Sequence, residues 1–266
     1  MDWLQVVVLA VVQGFTEFLP VSSSAHLILV PALTSWKDQG LAFDVALHMG
    51  SLLAVVVYFR REIGAMLQSS LAALRGKAVD RDARLALGVV LATLPVCVIG
   101  LALHDVVERH MRSTLIIAAA MIGFGLLLGY ADRVRHGTRD EYQLRSRDIA
   151  LIGLAQALAL IPGTSRSGIT ITAALLLGMG RESAARFSFL LSIPVIVLAG
   201  GMEILSLSRQ PALIDWPTLL SGTALAGISA YLCIHFFLAF ITRLGMQPFV
   251  LYRLVLGVWL LWLFYG

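Results

Sequence analysis

Six apolar runs, each long enough to cross a bilayer, leave this chain nowhere to fold but a membrane. They lie at about 41–59, 86–104, 113–131, 184–204, 217–240 and 246–264, and a hydrocarbon core about 30 Å thick asks roughly 20 residues of a spanning helix. In lipid every backbone polar group needs an internal partner, so such spans are helices. With 59% of residues hydrophobic and only 14% charged, a single water-soluble core could not cover the apolar surface. The predicted fold class is an all-α polytopic membrane protein, one integral membrane domain over residues 1–266.

The net charge of +4 does not point to nucleic acid, because the basic residues gather in short loops between apolar runs. Arg60, Arg61, Arg75, Lys77, Arg81 and Arg84 fall between the first two runs, and Arg133, Arg135, Arg139, Arg145 and Arg147 follow the third. The turn at 105–112 holds only Arg109 and Arg112. Cytoplasmic loops are the basic ones, so the two rich loops are predicted inside and the 105–112 turn outside. Met1-Asp2-Trp3 offers no basic region ahead of the apolar one, and no removable signal peptide is expected. Cys97 and Cys233 sit in apolar runs and read as small buried hydrophobes.

Two further apolar regions are broken, and the breaks carry the polar residues. Residues 3–19 hold Gln13 and Glu17 and end at Pro20, with a short piece at 26–34 beyond. Residues 149–180 are interrupted by Pro162-Gly163-Thr164-Ser165-Arg166-Ser167-Gly168-Ile169-Thr170. Pieces this short suit re-entrant hairpins whose turns line a buried or watery cavity. With Pro20 set opposite Pro162, Ser22 and Ser23 fall opposite Thr164 and Ser165, and Ser24 opposite Arg166. Three spans follow each hairpin, an odd number, which turns one half upside down relative to the other. The expected organisation is an inverted-topology repeat, each half a re-entrant helical hairpin plus three transmembrane helices: residues 1–131, a cytoplasmic basic loop at 132–147, and residues 148–266. The two turns then meet near the midplane, with Glu17, Ser23 and His26 facing Arg166, Ser165 and Thr170.

An arginine at membrane depth costs about 2.5 kcal/mol or more and is rarely idle. The planar guanidinium of Arg166 matches phosphate oxygens. The hydroxyls of Ser22, Thr164, Ser165, Ser167 and Thr170, with backbone freed at Gly168, complete an anion cradle. A helix beginning near Gly168 adds its dipole. The lesser alternative is a structural break that lets helices pack closely, with Arg166 bonded to backbone carbonyls. Hydrolysis asks for more than a cradle, and the first cluster holds the residue types it needs. Glu17 can act as base or hold a divalent cation, Gln13 lies one helical turn before it, and His26 can carry a proton. A plain structural pair between Glu17 and Arg166 also stays open, as does a packing role for Ser23.

With these residues in view, the chain resembles the bacitracin-resistance family of undecaprenyl pyrophosphate phosphatases along essentially its whole length. The specific segments are Gln13-Gly14-Phe15-Thr16-Glu17-Phe18-Leu19-Pro20-Val21-Ser22-Ser23-Ser24-Ala25-His26 and Pro162-Gly163-Thr164-Ser165-Arg166-Ser167-Gly168. Phe187-Ser188-Phe189-Leu190-Leu191-Ser192-Ile193-Pro194 adds weaker support. The resemblance implies a phosphatase, dependent on a divalent cation, Mg²⁺ or Ca²⁺, that converts undecaprenyl pyrophosphate to the monophosphate carrier used for peptidoglycan and other wall polymers. It implies Gln13 and Glu17 at the acidic metal motif, His26 as the essential histidine, Ser23 as candidate nucleophile and Arg166 as the phosphate-binding arginine. Ser165 and Thr170 fall on further active-site positions. Many members carry Glu where Gln13 stands, which leaves Glu17 the stronger ligand, and Ser24-Ala25 replaces the family's frequent Thr-Gly.

The resemblance also implies the bacterial inner membrane, a pocket towards the periplasm or outside, and a polyprenyl diphosphate lipid as substrate; assembly as a homodimer stays open. A transporter or flippase of a polyprenyl phosphate lipid is the alternative, since broken helices in inverted repeats are also a transporter plan. Transport needs the cradle but not Glu17, Ser23 and His26. Asp44, Arg181, Glu182, Arg186 and Arg253 read as interhelical or headgroup ion pairs.

Overall fold

The computed structural model describes residues 1–34, 36–111, 113–134, 137–207 and 215–265, so Arg112 and Arg135 of the loop count lie outside the described residues. The helices in chain order begin with α1 (Trp3–Phe18), α2 (Ser23–Leu33), α3 (Leu41–Tyr58), α4 (Arg60–Leu74), α5 (Arg81–His110) and α6 (Thr114–Val134). They continue with α7 (Ser146–Ala157), α8 (Arg166–Leu176), α9 (Arg181–Leu207), α10 (Trp216–Leu244) and α11 (Gln247–Tyr265). Among the described residues the only extended pairing is an isolated bridge between Arg139 and Met179. Stretches within α3, α5, α6, α9, α10 and α11 are long and apolar enough to cross a membrane. They coincide with the six runs expected from sequence.

Helix starts follow local chemistry. Asp2, Asp80 and Asp215 each place a carboxylate on a first-turn amide, of Gln5, Ala83 and Thr218, and Pro217 opens α10 where its missing N–H is harmless. The hydrogen bonds to Ala83 and Ser69 hold the Asp80 carboxyl below its ordinary value.

Two loop expectations fail: the stretch after α3, read as a basic loop, is helical, and most of the 105–112 turn belongs to α5, which runs on to His110. Ile63 and Met66 of α4 touch the main core, whereas Leu67, Leu71 and Leu74 face outward. An amphipathic helix spreads its apolar residues at helical spacing and has no continuous apolar run to reveal it.

Helices α1 and α3 both pack on α10, α7 and α9 both pack on α5, and α6 pairs with α11. Close approach sets composition at these crossings. A Cβ on Gly14 would lie 2.6 Å from the Ala226 carbonyl oxygen of α10, so only glycine lets α1 seat there. Phe18, Phe59, Phe187, Phe189 and Phe237 fill the main core, with the Phe18 and Phe189 rings edge-to-face at 5.2 Å. The expected interhelical ion pairs form at Arg181, with Asp132 at 2.6 Å, and at Arg186, which bridges Glu141 at 2.7 Å and Glu62 at 2.9 Å. Asp44 accepts from Gln39 Nε2 at 2.8 Å. Arg253 is different, and it leads to the site.

Candidate active site

Five helices fall short of a span, and all but α4 form two pairs, α1–α2 and α7–α8, each closed by a serine turn. Ser22 (φ 74°) and Ser165 (φ 69°) are the two non-glycine residues with positive φ among the described residues, and each immediately precedes a short helix. The turns therefore match with Ser22 opposite Ser165 and Ser23 opposite Arg166. This shifts the proline-on-proline alignment by one residue, because the helix start and backbone reversal define the turn, and Gly163 (φ 91°) stands where the first turn has Pro20. A Cβ on Gly163 would lie 2.5 Å from the Ile117 carbonyl oxygen. In the shifted register Gln13 falls opposite Gln156, and both are fully buried.

Arg253 of α11 ties the two turns together. Fully buried, it donates from Nη1 to the carbonyl oxygens of Pro20 (3.1 Å) and Thr164 (2.9 Å), and from Nη2 to that of Gly163 (3.0 Å). Its remaining bonds reach Ala120 and Met121 of α6. The ion pair expected for Arg253 is replaced by carbonyls, which turns reversed at depth leave without helical partners. Ser167 Oγ adds a bond to the Leu19 carbonyl oxygen at 2.9 Å, directly across the two turns.

The joined turns border a cavity of about 190 Å³ lined by Glu17 of α1, Ser22–Ser24, His48 of α3, Ser165 and Arg166 of α8, and the Val195–Glu203 stretch of α9. A single water needs about 10–15 Å³ by this kind of measure, so a solvated phosphoryl group fits. Glu17 is the hub. Its Oε1 accepts from Arg166 Nη2 at 2.8 Å, and its Oε2 from Ser23 Oγ at 2.6 Å and Gln13 Nε2 at 3.0 Å. Arg166 Nη1 is buried and has no hydrogen-bond partner. Ser165 Oγ caps α8 by accepting from Gly168 N at 3.1 Å.

Glu17, Ser22, Ser23, Ser165 and Arg166 thus come together as expected, but other expected residues do not line the cavity. Gln13 reaches it only through Glu17. Thr164 is fully buried, with its Oγ1 unpaired. Thr170 Oγ1 donates to the Arg166 carbonyl oxygen at 2.8 Å and pairs with Ser188 Oγ at 2.7 Å, bracing α8 on α9. The amide of Gly168 belongs to the cap, and Ser167 to the opposite turn. His26 turns away altogether. Its Nδ1 donates to the Ser22 carbonyl oxygen at 2.7 Å, and its Nε2 meets the Tyr252 hydroxyl at 2.6 Å, the two rings stacked 5.7 Å apart.

The imidazole on the cavity wall is His48, which the sequence reading passed over together with Glu203. Its Nε2 lies 3.7 Å from Glu17 Oε2 and its Nδ1 donates to the Asp44 carbonyl oxygen at 2.8 Å. The available signal was a histidine and a glutamate, each set inside an apolar span.

A divalent cation suits this wall by donor chemistry, since Glu17 and Glu203 offer the hard oxygens that Mg²⁺ and Ca²⁺ take. Among the described residues no three His, Cys, Asp or Glu side chains form a metal cage, so a bound ion would rely on substrate oxygens and water as well.

The family described as bacitracin resistance protein BacA matches residues 6–259. The chain is 58% identical to an undecaprenyl-diphosphatase of Thioalkalivibrio sulfidiphilus over 266 residues, 100% of each protein. It is 58% identical to undecaprenyl-diphosphatase 2 of Stutzerimonas stutzeri over 269 residues, again 100% of each. With an undecaprenyl-diphosphatase of Nitrosococcus oceani it shares 54% identity over 264 residues, 99% of this chain and 100% of the relative. On a match that runs from α1 into α11 and takes in both serine turns, the chain belongs to the bacitracin resistance protein BacA family.

Proposed function

We propose that this protein removes the terminal phosphate of undecaprenyl pyrophosphate, releasing inorganic phosphate and the monophosphate carrier reused for cell-wall polymers, and so contributes to bacitracin resistance. The observation that carries the reading is Arg166: one amino group bound to Glu17, the other buried, unpaired and beside a cavity edged with serine hydroxyls. A guanidinium so placed has donors to give to a phosphoryl oxygen. The names of the relatives supply the lipid.

In this mechanism Arg166 holds the terminal phosphoryl group, assisted by Ser165 and the N-terminal end of α8. Ser23, whose hydroxyl already donates to Glu17, is placed either to attack phosphorus or to orient an attacking water. A bound Mg²⁺ or Ca²⁺ would supply charge neutralisation at the diphosphate, held at Glu17. His26 buttresses the Ser22 turn through its carbonyl.

The same reading places α1–α2 and α7–α8 as re-entrant hairpins of an inverted repeat, residues 1–131 and 148–266, with the 132–147 segment cytoplasmic and the cavity facing the periplasm. Supporting it, α1 packs on the late helix α10 whereas α7 packs on the early helix α5, the exchange an inverted pair of halves produces. Phosphate release from undecaprenyl pyrophosphate by the purified protein tests the function. A folded protein that binds the lipid and releases none would be a carrier and not a phosphatase.

A further inference from the structure

We propose that α4 is a docking surface for anionic lipid: the helix lies in the boundary between headgroups and acyl chains, its leucine stripe in the chains and its flanking basic residues on headgroup phosphates. None of its residues is fully buried. Leu67, Leu71 and Leu74 are 60%, 52% and 84% exposed. Spaced at i, i+4 and i+7, they form a single stripe along the helix.

Position in the chain puts that stripe at a membrane surface. The 15 residues of α4 reach only about 22 Å as a helix, short of a hydrocarbon core about 30 Å thick. The helix starts two residues after α3 ends at Tyr58 and finishes six residues ahead of Arg81, where α5 begins. Both neighbours are long and apolar enough to cross the membrane, so both ends of α4 are held where those spans leave it. Its roll is fixed as well. Glu62 accepts from Arg186 Nη2 of α9 at 2.9 Å, and Ser69 Oγ donates to Asp80 Oδ2 at 2.8 Å. At about 3.6 residues per turn, Glu62 and Ser69 share a face opposite the leucines. Ile63 and Met66, on the flank, touch the main core. With its inward face occupied, α4 presents the leucines outward.

The charges select the occupant. Arg60 and Arg61 open the helix, Arg75 and Lys77 follow its end, and all four are exposed. Glu62, the only acid from 60 to 77, is bound to Arg186. Arg61, Arg75 and Lys77 pair with no carboxylate among the described residues. An apolar stripe bracketed by free cations suits an interface of acyl chains and anionic phosphates, with the arginine and lysine stems snorkelling between the two. A second copy of the chain fits less well, since a two-fold contact through this stripe would set these cations against their own kind.

Nitroxide labels on the full-length protein in lipid nanodiscs test this, with Cys97→Ala and Cys233→Ala as background. Labels at Leu67→Cys and Leu71→Cys are expected to meet dissolved oxygen more than a water-soluble nickel chelate, and a label at Gln68→Cys the reverse. Leucine positions as open to the chelate as Gln68 would overturn the proposal, and spin–spin broadening at Leu71→Cys would give the stripe to a second copy instead. Amide exchange of unmodified protein keeps the test open if the background fails to fold. Discs that add phosphatidylglycerol to phosphatidylcholine are expected to slow exchange over 60–77 about tenfold relative to phosphatidylcholine alone. Arg61→Gln, Arg75→Gln and Lys77→Gln together should erase that difference. Equal exchange of the unmodified protein in the two discs refutes the choice of anionic headgroups.

Discussion

Arg166 Nη2 lies 2.8 Å from Glu17 Oε1 across the two serine turns, while its Nη1, buried in the same wall, has no hydrogen-bond partner among the described residues. The pair neutralises a buried charge and holds half of a phosphate fork in reserve. Arg166→Ala is therefore expected to lower phosphate release roughly 10²–10³-fold, the usual result of deleting one preorganised donor to developing charge. The fold should survive, because Glu17 keeps Ser23 and Gln13. Arg166→Lys should recover little, since a point charge cannot serve a carboxylate and a phosphate together in one plane. Kinetics beside a thermal melt check both.

Glu17→Gln should abolish most turnover and also reduce stability. The loss in stability should stay below the roughly 3–5 kcal/mol of breaking a fully buried pair, because the cavity admits water. If the carboxylate holds the cation, wild-type turnover falls to background in chelator and returns with Mg²⁺ or Ca²⁺. The Gln variant should respond to neither, and turnover that persists in chelator would remove the ion from the mechanism.

The spans were legible because hydrocarbon thickness sets a length that composition either meets or does not. Glu17, Ser23 and Arg166 were legible because polar groups at depth stand out against an apolar run. His48 lies within one span and Glu203 near the end of another, each alone, with no hydroxyl cluster around it. That α1, α3, α8 and α9 converge on one cavity is tertiary information carried by no segment of the chain. Helix α4 hid behind its amphipathic pattern, and the carbonyl partners of Arg253 come from three distant stretches. His26 sits within the most telling motif, yet its ring nitrogens meet Ser22 and Tyr252 and it does not line the cavity.

Acid should loosen the segment between α6 and α7. Asp148, at the loop end of α7 and outside the six spans, is pushed up by burial. The Arg145 amide and the Arg139 guanidinium outweigh this and hold its carboxyl below the ordinary value. A carboxyl lowered in the folded state stabilises above its unfolded pKa, and that contribution is lost as pH falls through the folded one. Asp148→Asn is expected to melt earlier near neutral pH and to flatten the acid side of the stability curve. Proteolysis of the 137–145 segment against pH reads the same effect locally.

Arg253 and Arg166 should separate structure from chemistry when each is removed. Without Arg253 the carbonyls of Pro20, Gly163 and Thr164 lose their donors inside the protein, at about 1–3 kcal/mol each. Together that rivals the roughly 5–15 kcal/mol by which a whole domain is stable. Arg253→Ala should consequently fail to accumulate as folded protein. Arg253→Lys, with three donors on one nitrogen, reaches only some of these oxygens, so it should accumulate with a depressed thermal midpoint and with kcat reduced as the turns drift apart. Arg166→Ala should show the opposite pairing, folded protein recovered with a midpoint lowered about as in Glu17→Gln, and kcat lost. A normal midpoint in Arg253→Ala would mean that the serine turns hold their positive-φ conformations without the carbonyl clamp, and that another contact, such as Ser167 to Leu19, keeps Glu17 against Arg166.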